Sequence, residues 1–283
     1  PGGVMGVSAD STLKEAQAIV KDVERAGAHM IELVSYTEDT LLPMLDYTKE
    51  HVDIPVICKL SGNWPDTAAT ARRCLEHGAN GICAIDSIGP TLKIDIEKAA
   101  PEMMSGDGFG WMTGAAMRPI AMRYNYQIAK ENPQLMNLYA SGGVMKADDA
   151  IEYMMAGAMG VGVCTAGILK GVEYVEKMCY DLSKRLGYSS IQEVNRAAHP
   201  NFPSEEHISG LKFHFTPFKE DGTTKKCVSC KKCETVCCYD ARKLTFPEMT
   251  VDMDKCRCCG LCLDVCPTGA LTAELAPQTE KDL

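Results

Sequence analysis

Ten of the fifteen cysteines fall between Cys227 and Cys266, and their spacing carries the clearest chemistry in the chain. Cys227, Cys230, Cys233 and Cys237 are separated by two, two and three residues; Cys256, Cys259, Cys262 and Cys266 repeat the pattern, with Pro267 after the last. A tight C-x-x-C-x-x-C loop wraps three thiolates round one iron–sulfur cubane, and the fourth cysteine lies too far along to close the same site, so it crosses to the other. The expected ligand sets are therefore Cys227, Cys230, Cys233 and Cys266 for one [4Fe–4S] cluster, and Cys256, Cys259, Cys262 and Cys237 for a second. Structural zinc also uses C-x-x-C, but as two pairs with a long spacer rather than three cysteines at successive three-residue steps. Cys238 and Cys258 are surplus and read as packing residues, although Cys238, next to Cys237, takes the place of the usual proline.

This is the spacing of bacterial two-cluster ferredoxins. Lys225, Lys226, Lys231 and Lys232 surround the first motif. They read either as ordinary solvated surface or as a docking face for an acidic electron carrier that also screens an anionic cluster. Cys58, Cys74, Cys83, Cys164 and Cys179 are scattered, and read as small buried hydrophobes in a reducing cytoplasm. A net charge of -9 argues against nucleic acid, and no run is apolar for long enough to span a membrane as a helix. Small molecules and protein partners remain.

The rest of the chain must position whatever exchanges electrons with the clusters. Apolar runs at Val4–Ser8, Met30–Ser35, Pro55–Leu60, Gly81–Asp86, Leu135–Ala140 and Met159–Cys164 alternate with amphipathic stretches at Thr12–Ala26, Thr67–His77 and Asp148–Ala156. The helix-stop phrases Ala26-Gly27-Ala28, His77-Gly78-Ala79 and Ala156-Gly157-Ala158 mark repeated βα units, hence a parallel sheet. The expected fold is an α/β chain: a (β/α)8 TIM barrel followed by a two-[4Fe–4S] ferredoxin-like domain. The six strands counted fall short of eight, and the abrupt start at Pro1-Gly2-Gly3 leads us to expect two more before residue 1. Expected boundaries are 1–187 for the barrel, 188–210 for a linker, 211–275 for the cluster domain and 276–283 for a tail.

Barrel chemistry sits at the C-terminal ends of the strands. Those ends carry Ser8, Ser35, Lys59, Asp86, Ser141-Gly142-Gly143 and Cys164-Thr165. The last two groups end the final strands, where barrels commonly bind phosphate through backbone N–H groups, and Lys59 suits negative charge on a cofactor ring. No G-x-G-x-x-G follows a strand; Gly106, Gly108 and Gly110 have the wrong spacing for one.

The runs Ala26–Leu33, Lys59-Leu60-Ser61, Thr113–Arg123, Ser141–Val144 and Ala156-Gly157-Ala158 resemble, in order, the dihydroorotate dehydrogenase family. With the cluster motifs added, the chain is similar over nearly its whole length to the FMN- and iron–sulfur-containing subunits of NAD-dependent dihydropyrimidine dehydrogenases. The resemblance implies FMN, with Lys59, Ser87, Thr113 and Gly114 at the ring and Gly142, Gly143, Cys164 and Thr165 at the phosphate. It also implies a small unsaturated substrate, an oligomer, and electrons exchanged with an FAD- and NAD(P)H-using flavoprotein subunit or a ferredoxin. The departures fall on the substrate side. Where the family has Asn-x-Ser-Cys-Pro, this chain has Val34-Ser35-Tyr36-Thr37-Glu38, so the base position falls on Thr37 and the pyrimidine-holding asparagine becomes Val34. A second asparagine becomes Asp86. A threonine hydroxyl is a poor base without an activating neighbour. An electron-transfer subunit with no substrate of its own is the alternative these losses support.

Overall fold

Six parallel strands lie side by side in the order in which they occur along the chain. They are β1 (Val4–Val7), β2 (Met30–Val34), β3 (Val56–Leu60), β4 (Gly81–Ala84), then β9 (Leu138–Ala140) and β10 (Gly160–Val161). Between β4 and β9 come four short antiparallel strands, β5 (Ile88–Thr91), β6 (Ile94–Asp95), β7 (Ala100–Pro101) and β8 (Gly110–Met112). The computed structural model describes residues 4–7, 13–35, 37–103, 106–187, 190–202 and 211–275. Ser8, the expected helix start at Thr12, Tyr36, most of the second half of the expected linker and the tail lie outside them.

Doubly wound sheets reverse their strand order at a switch point, whereas this sheet never reverses. Its winding is that of a barrel. The helices α1 (Leu13–Arg25), α2 (Glu38–His51), α3 (Thr67–Glu76), α4 (Arg118–Glu131) and α5 (Ala147–Met155) cover one face, followed by α6 (Thr165–Lys170), α7 (Glu173–Leu186) and α8 (Ile191–Val194). Ile31, Leu33, Cys58, Leu60, Ile82 and Ala84 point from the strands into the helical layer and pack with Leu41, Leu45 and Ile128. The alternate residues share the other face: Val34 lies in register with Lys59, and Lys59 with Cys83. The three expected helix stops are present, with Gly27, Gly78 and Gly157 all at positive φ.

Three features differ from expectation. Residues 38–51 form α2 although the sequence suggests a loop running into Pro43; the proline lies inside the helix, in its second turn, and forgoes one backbone hydrogen bond there. Of the scattered cysteines, Cys58, Cys74 and Cys83 are buried, but Cys164 and Cys179 are exposed, one at the start of α6 and the other on α7. The chain divides into compact units of residues 1–199 and 200–283. Residues 190–199, inside the expected linker, group with the first unit. Arg196 donates through its guanidinium to Pro133 O and Leu135 O (both 2.9 Å), and His199 Nε2 donates to Ala156 O (2.9 Å). Polar side chains gripping carbonyls, rather than an apolar stripe, hold this segment down.

In the second unit, β11 (Leu211–Phe215) pairs antiparallel with β14 (Leu271–Leu275), and β12 (Arg242–Thr245) with β13 (Glu248–Val251). The short helices α9 (Lys232–Thr235) and α10 (Leu261–Asp264) each follow a cysteine loop. The two halves repeat one another closely: Ser229 and Cys258 are left-handed, as are Lys231 and Gly260 at the starts of α9 and α10.

Candidate functional site

The first unit brings together all eight residues expected at a flavin. Lys59, Ser87, Thr113, Gly114, Gly142, Gly143, Cys164 and Thr165 line one cavity, with Asp86, Met117, Ser141 and Gly162 among its other walls. Hydrogen bonds carry the sheet ladder just past the strands and fix these turns: Asp86 N to Leu60 O (2.8 Å), Ser141 N to Ala84 O (2.6 Å), Gly162 N to Ala140 O (2.7 Å).

Lys59 Nζ lies 3.3 Å from Asp86 Oδ1, and the same oxygen accepts the Ser87 N–H (2.9 Å). Burial disfavours the ammonium, but the Asp86 and Glu32 carboxylates outweigh it and hold the Lys59 pKa above the ordinary lysine value. Lys59 is thus a fixed cation at the cavity wall. Cys83, in the next strand, is pushed well up by burial and by Glu32, and stays a neutral thiol.

Gly142 (φ +118°) and Gly143 (φ +76°) press the β9–α5 turn against the start of α4. A Cβ on Gly143 would stand 2.6 Å from Gly114 O, so only glycine fits. The turn is strapped from behind. Tyr153 donates its hydroxyl to Gly142 O (2.5 Å), Tyr174 to Met145 O (3.1 Å), and Asp149 Oδ2 accepts the N–H groups of Met145 (2.9 Å) and Lys146 (3.1 Å). Asp149, buried, is in turn paired with Arg118 (2.9 Å). In front, the backbone N–H groups of Gly142, Gly143, Cys164 and Thr165 have no partner among the described residues. Free N–H groups and a lysine in one cavity form a donor set suited to a phosphorylated, anionic cofactor such as FMN.

The second unit gathers the eight cysteines into two sets of four. Cys227, Cys230, Cys233 and Cys266 line one cavity; Cys237, Cys256, Cys259 and Cys262 line another. Each set combines three cysteines of one motif with the fourth of the other, as the spacing requires. Four thiols round each cavity are the ligand number of a [4Fe–4S] cluster. Backbone N–H groups already face sulfur, Ser229 N to Cys227 Sγ and Ala241 N to Cys237 Sγ, each at 3.4 Å. Burial raises Cys266, but N–H groups of Leu271, Thr268 and Ala270 and the Thr268 hydroxyl outweigh it and lower its pKa. Burial prevails at Cys233 and at Cys262, the latter against the nearby Arg242 guanidinium.

Comparison with known proteins agrees with both halves. The family profile described as Dihydroorotate dehydrogenase matches residues 17–186, more than half of the chain. The chain belongs to the dihydroorotate dehydrogenase family. A 4Fe-4S binding domain profile matches residues 249–272, which contain the second motif. The NAD-dependent dihydropyrimidine dehydrogenase subunit PreA of Escherichia coli is 27% identical over 90% of this chain and 67% of its own length. The catalytic subunit of dihydroorotate dehydrogenase B (NAD(+)) from Methanothermobacter thermautotrophicus is 35% identical over 53% of this chain. The chain spans about half the length of the dihydroorotate dehydrogenases it matches. A ligand-free dihydroorotate dehydrogenase crystal structure from Eimeria tenella superposes with a TM-score of 0.51 at 17% identity, covering 69% of this chain and 64% of the other, and supports the barrel fold.

The dihydroorotate dehydrogenase substrate positions fare differently. Thr37 is not among the residues that line the cavity. It sits at the start of α2 with its hydroxyl against Thr40 Oγ1 (2.6 Å), which in turn meets Ser35 Oγ (2.5 Å). The neighbouring carboxylate, Glu38, is engaged by Arg73 and Thr70, and Arg73 holds its pKa below the usual carboxylate value. Thr37 has no activating base among these partners. Sequence reading missed the Tyr153, Asp149 and Arg118 support, although Arg118 lies inside the Thr113–Arg123 run. It also missed Arg242, whose signal was available: Arg242 stands where the repeat places Leu271, each following its fourth cysteine at the same distance.

Proposed function

We propose that this chain is an FMN- and iron–sulfur-dependent oxidoreductase. It would pass electrons between an external carrier, two [4Fe–4S] clusters and a barrel-bound FMN, to reduce or oxidise a small unsaturated compound. The observation that carries this reading is the coincidence, on one chain, of the Lys59–glycine cavity with two cavities each ringed by four cysteines. Flavin supplies the exchange between one-electron clusters and a two-electron substrate. The protein's part is to hold the phosphate with Gly142, Gly143, Cys164 and Thr165 and to set the ring against Lys59 and Ser87. PreA is by name an NAD-dependent subunit, and a partner flavoprotein subunit using FAD and NAD(P)H, or a ferredoxin, fits this chain, which lacks a nicotinamide motif. No helix among the described residues is long and apolar enough to cross a membrane, and a cytoplasmic oligomer fits the reading. Anaerobic purification of the full chain, with flavin, iron and acid-labile sulfide analysis, tests it. Full-length protein holding iron and sulfide but no flavin would sink the flavin part.

Electron transfer without a substrate is the second reading, favoured by Val34 and by Asp86, whose Oδ1 is engaged by Lys59 and by the Ser87 N–H. Under either reading, Lys59→Met removes the cation beside the ring. The flavin midpoint is expected to fall by the equivalent of about 1.5–3 kcal/mol, the worth of a charged hydrogen bond, in a spectroelectrochemical titration. An unchanged midpoint would remove Lys59 from the ring.

Lys225, Lys226, Lys231 and Lys232 make no ion pair among the described residues, whereas Lys255 beside the second motif is held by Asp252. Reversing all four to glutamate is expected to slow reduction by an acidic flavodoxin roughly tenfold at low ionic strength and hardly at all at high. Reduction by dithionite serves as the control. A salt-independent loss, or none, leaves these lysines as plain surface.

A further inference from the structure

The two cluster cavities are built from one repeat, yet a buried cation lines only the second of them. Leu271, after Cys266, lines the first cavity; Arg242, after Cys237, lines the second. Both are buried, at 3% and 5% exposure. The Arg242 guanidinium lies 4.0 Å from the centre of the Phe213 ring, and Nη1 meets Met249 Sδ at 3.8 Å. Nη2 is buried without a hydrogen-bond partner, and Arg242 forms no ion pair among the described residues. A desolvated cation with no carboxylate is costly unless an anion stands beside it. The chain offers that anion only in the second cavity, where four thiolates and the sulfides of a cluster would meet an idle N–H donor.

Basic groups on the cavity rims do not create the same asymmetry. Lys231 and Lys232 line the first and Arg257 the second, but all three are exposed and screened by solvent. Arg242 is not. Reduction adds one negative charge to a cluster and moves no proton, so a buried cation favours the reduced form of the nearer one.

We propose that Arg242 raises the reduction potential of the cluster in the Cys237, Cys256, Cys259 and Cys262 cavity above that of the other, so that a single electron delivered to the pair resides there. The inference rests on the two-cluster reading. It makes the domain a polarised relay: an electron accepted at the lysine-flanked first cluster runs downhill to the second.

The test is a redox titration of the anaerobically purified full chain followed by electron paramagnetic resonance. Two separate midpoints are expected in the natural protein. Arg242→Leu, which gives the second cavity the residue of the first, brings them together, reducing the electron's preference at least about tenfold, or about 59 mV for a one-electron couple. Arg242→Lys keeps most of the separation. If the leucine variant loses iron, Arg242→Gln, which retains N–H donors without the charge, carries the comparison. Coincident midpoints in the natural protein, or a shift of both or neither in the variants, overturn the proposal. Natural protein without iron would instead count against the clusters themselves, so the two failures are distinct.

Discussion

Replacing Cys266 with alanine is expected to empty the cavity of the first motif, not of the motif to which Cys266 belongs in sequence. Cys266 lines the cavity with Cys227, Cys230 and Cys233, because β14 runs back along β11 and carries the end of the second motif across the domain. Iron should fall by about half, the share of one cluster of two. Alkylation after mild chelation, read by mass spectrometry, should then label Cys227, Cys230 and Cys233 while Cys256, Cys259 and Cys262 stay protected. The converse variant, Cys237→Ala, should reverse the pattern. Both should also destabilise the domain, because its core is small: the buried apolar residues Leu244, Ala270 and Leu271 all stand beside the first cavity. A unit of this size commonly depends on its metal for folding. Labelling of Cys256, Cys259 and Cys262 in the Cys266 variant would disprove the crossed ligation.

That crossed arrangement could be read from the sequence because cluster ligation is a matter of spacing along the chain. The barrel was legible for a related reason. Parallel strands leave continuous apolar runs, and a glycine stop precedes three of the six, so strand ends, and with them Lys59, Gly142 and Thr165, could be placed before any contact was known. What stayed hidden depends on pairings between distant residues. Arg196 reaches the carbonyls of Pro133 and Leu135 across the fold, a grip on backbone that composition does not reveal. Pro43 suggests a break, yet α2 passes through it and buries Leu41, Met44 and Leu45 against the sheet. Thr37, which the family's pattern places at the base position, sets its hydroxyl against Thr40 and is not among the residues that line the cavity. Arg242 was visible in principle, since an arginine breaks an otherwise apolar repeat, but its burial and missing partner belong to the folded domain alone.

Gly143→Ala should cost the chain its flavin while leaving its iron in place. The strain is local and twofold. An alanine at φ +76° pays roughly 1–2 kcal/mol for the left-handed conformation. Its Cβ would also stand 2.6 Å from Gly114 O and 2.7 Å from Arg118 Cβ, backbone and helix-start atoms that cannot swing aside. The turn must therefore withdraw from α4, taking the free N–H groups of Gly142 and Gly143 out of line with those of Cys164 and Thr165. Flavin bound after purification should fall about tenfold or more, since a displacement worth 1.4 kcal/mol already costs that factor in affinity. Gly162→Ala is the matched control: it lines the same cavity, but its added Cβ would come no nearer than 3.7 Å to Ala140 O. That variant should keep its flavin. Iron should be equal in both, because the cysteines lie in the other unit. If both variants lose flavin alike, or neither does, then the turn between β9 and α5 is not what grips the phosphate.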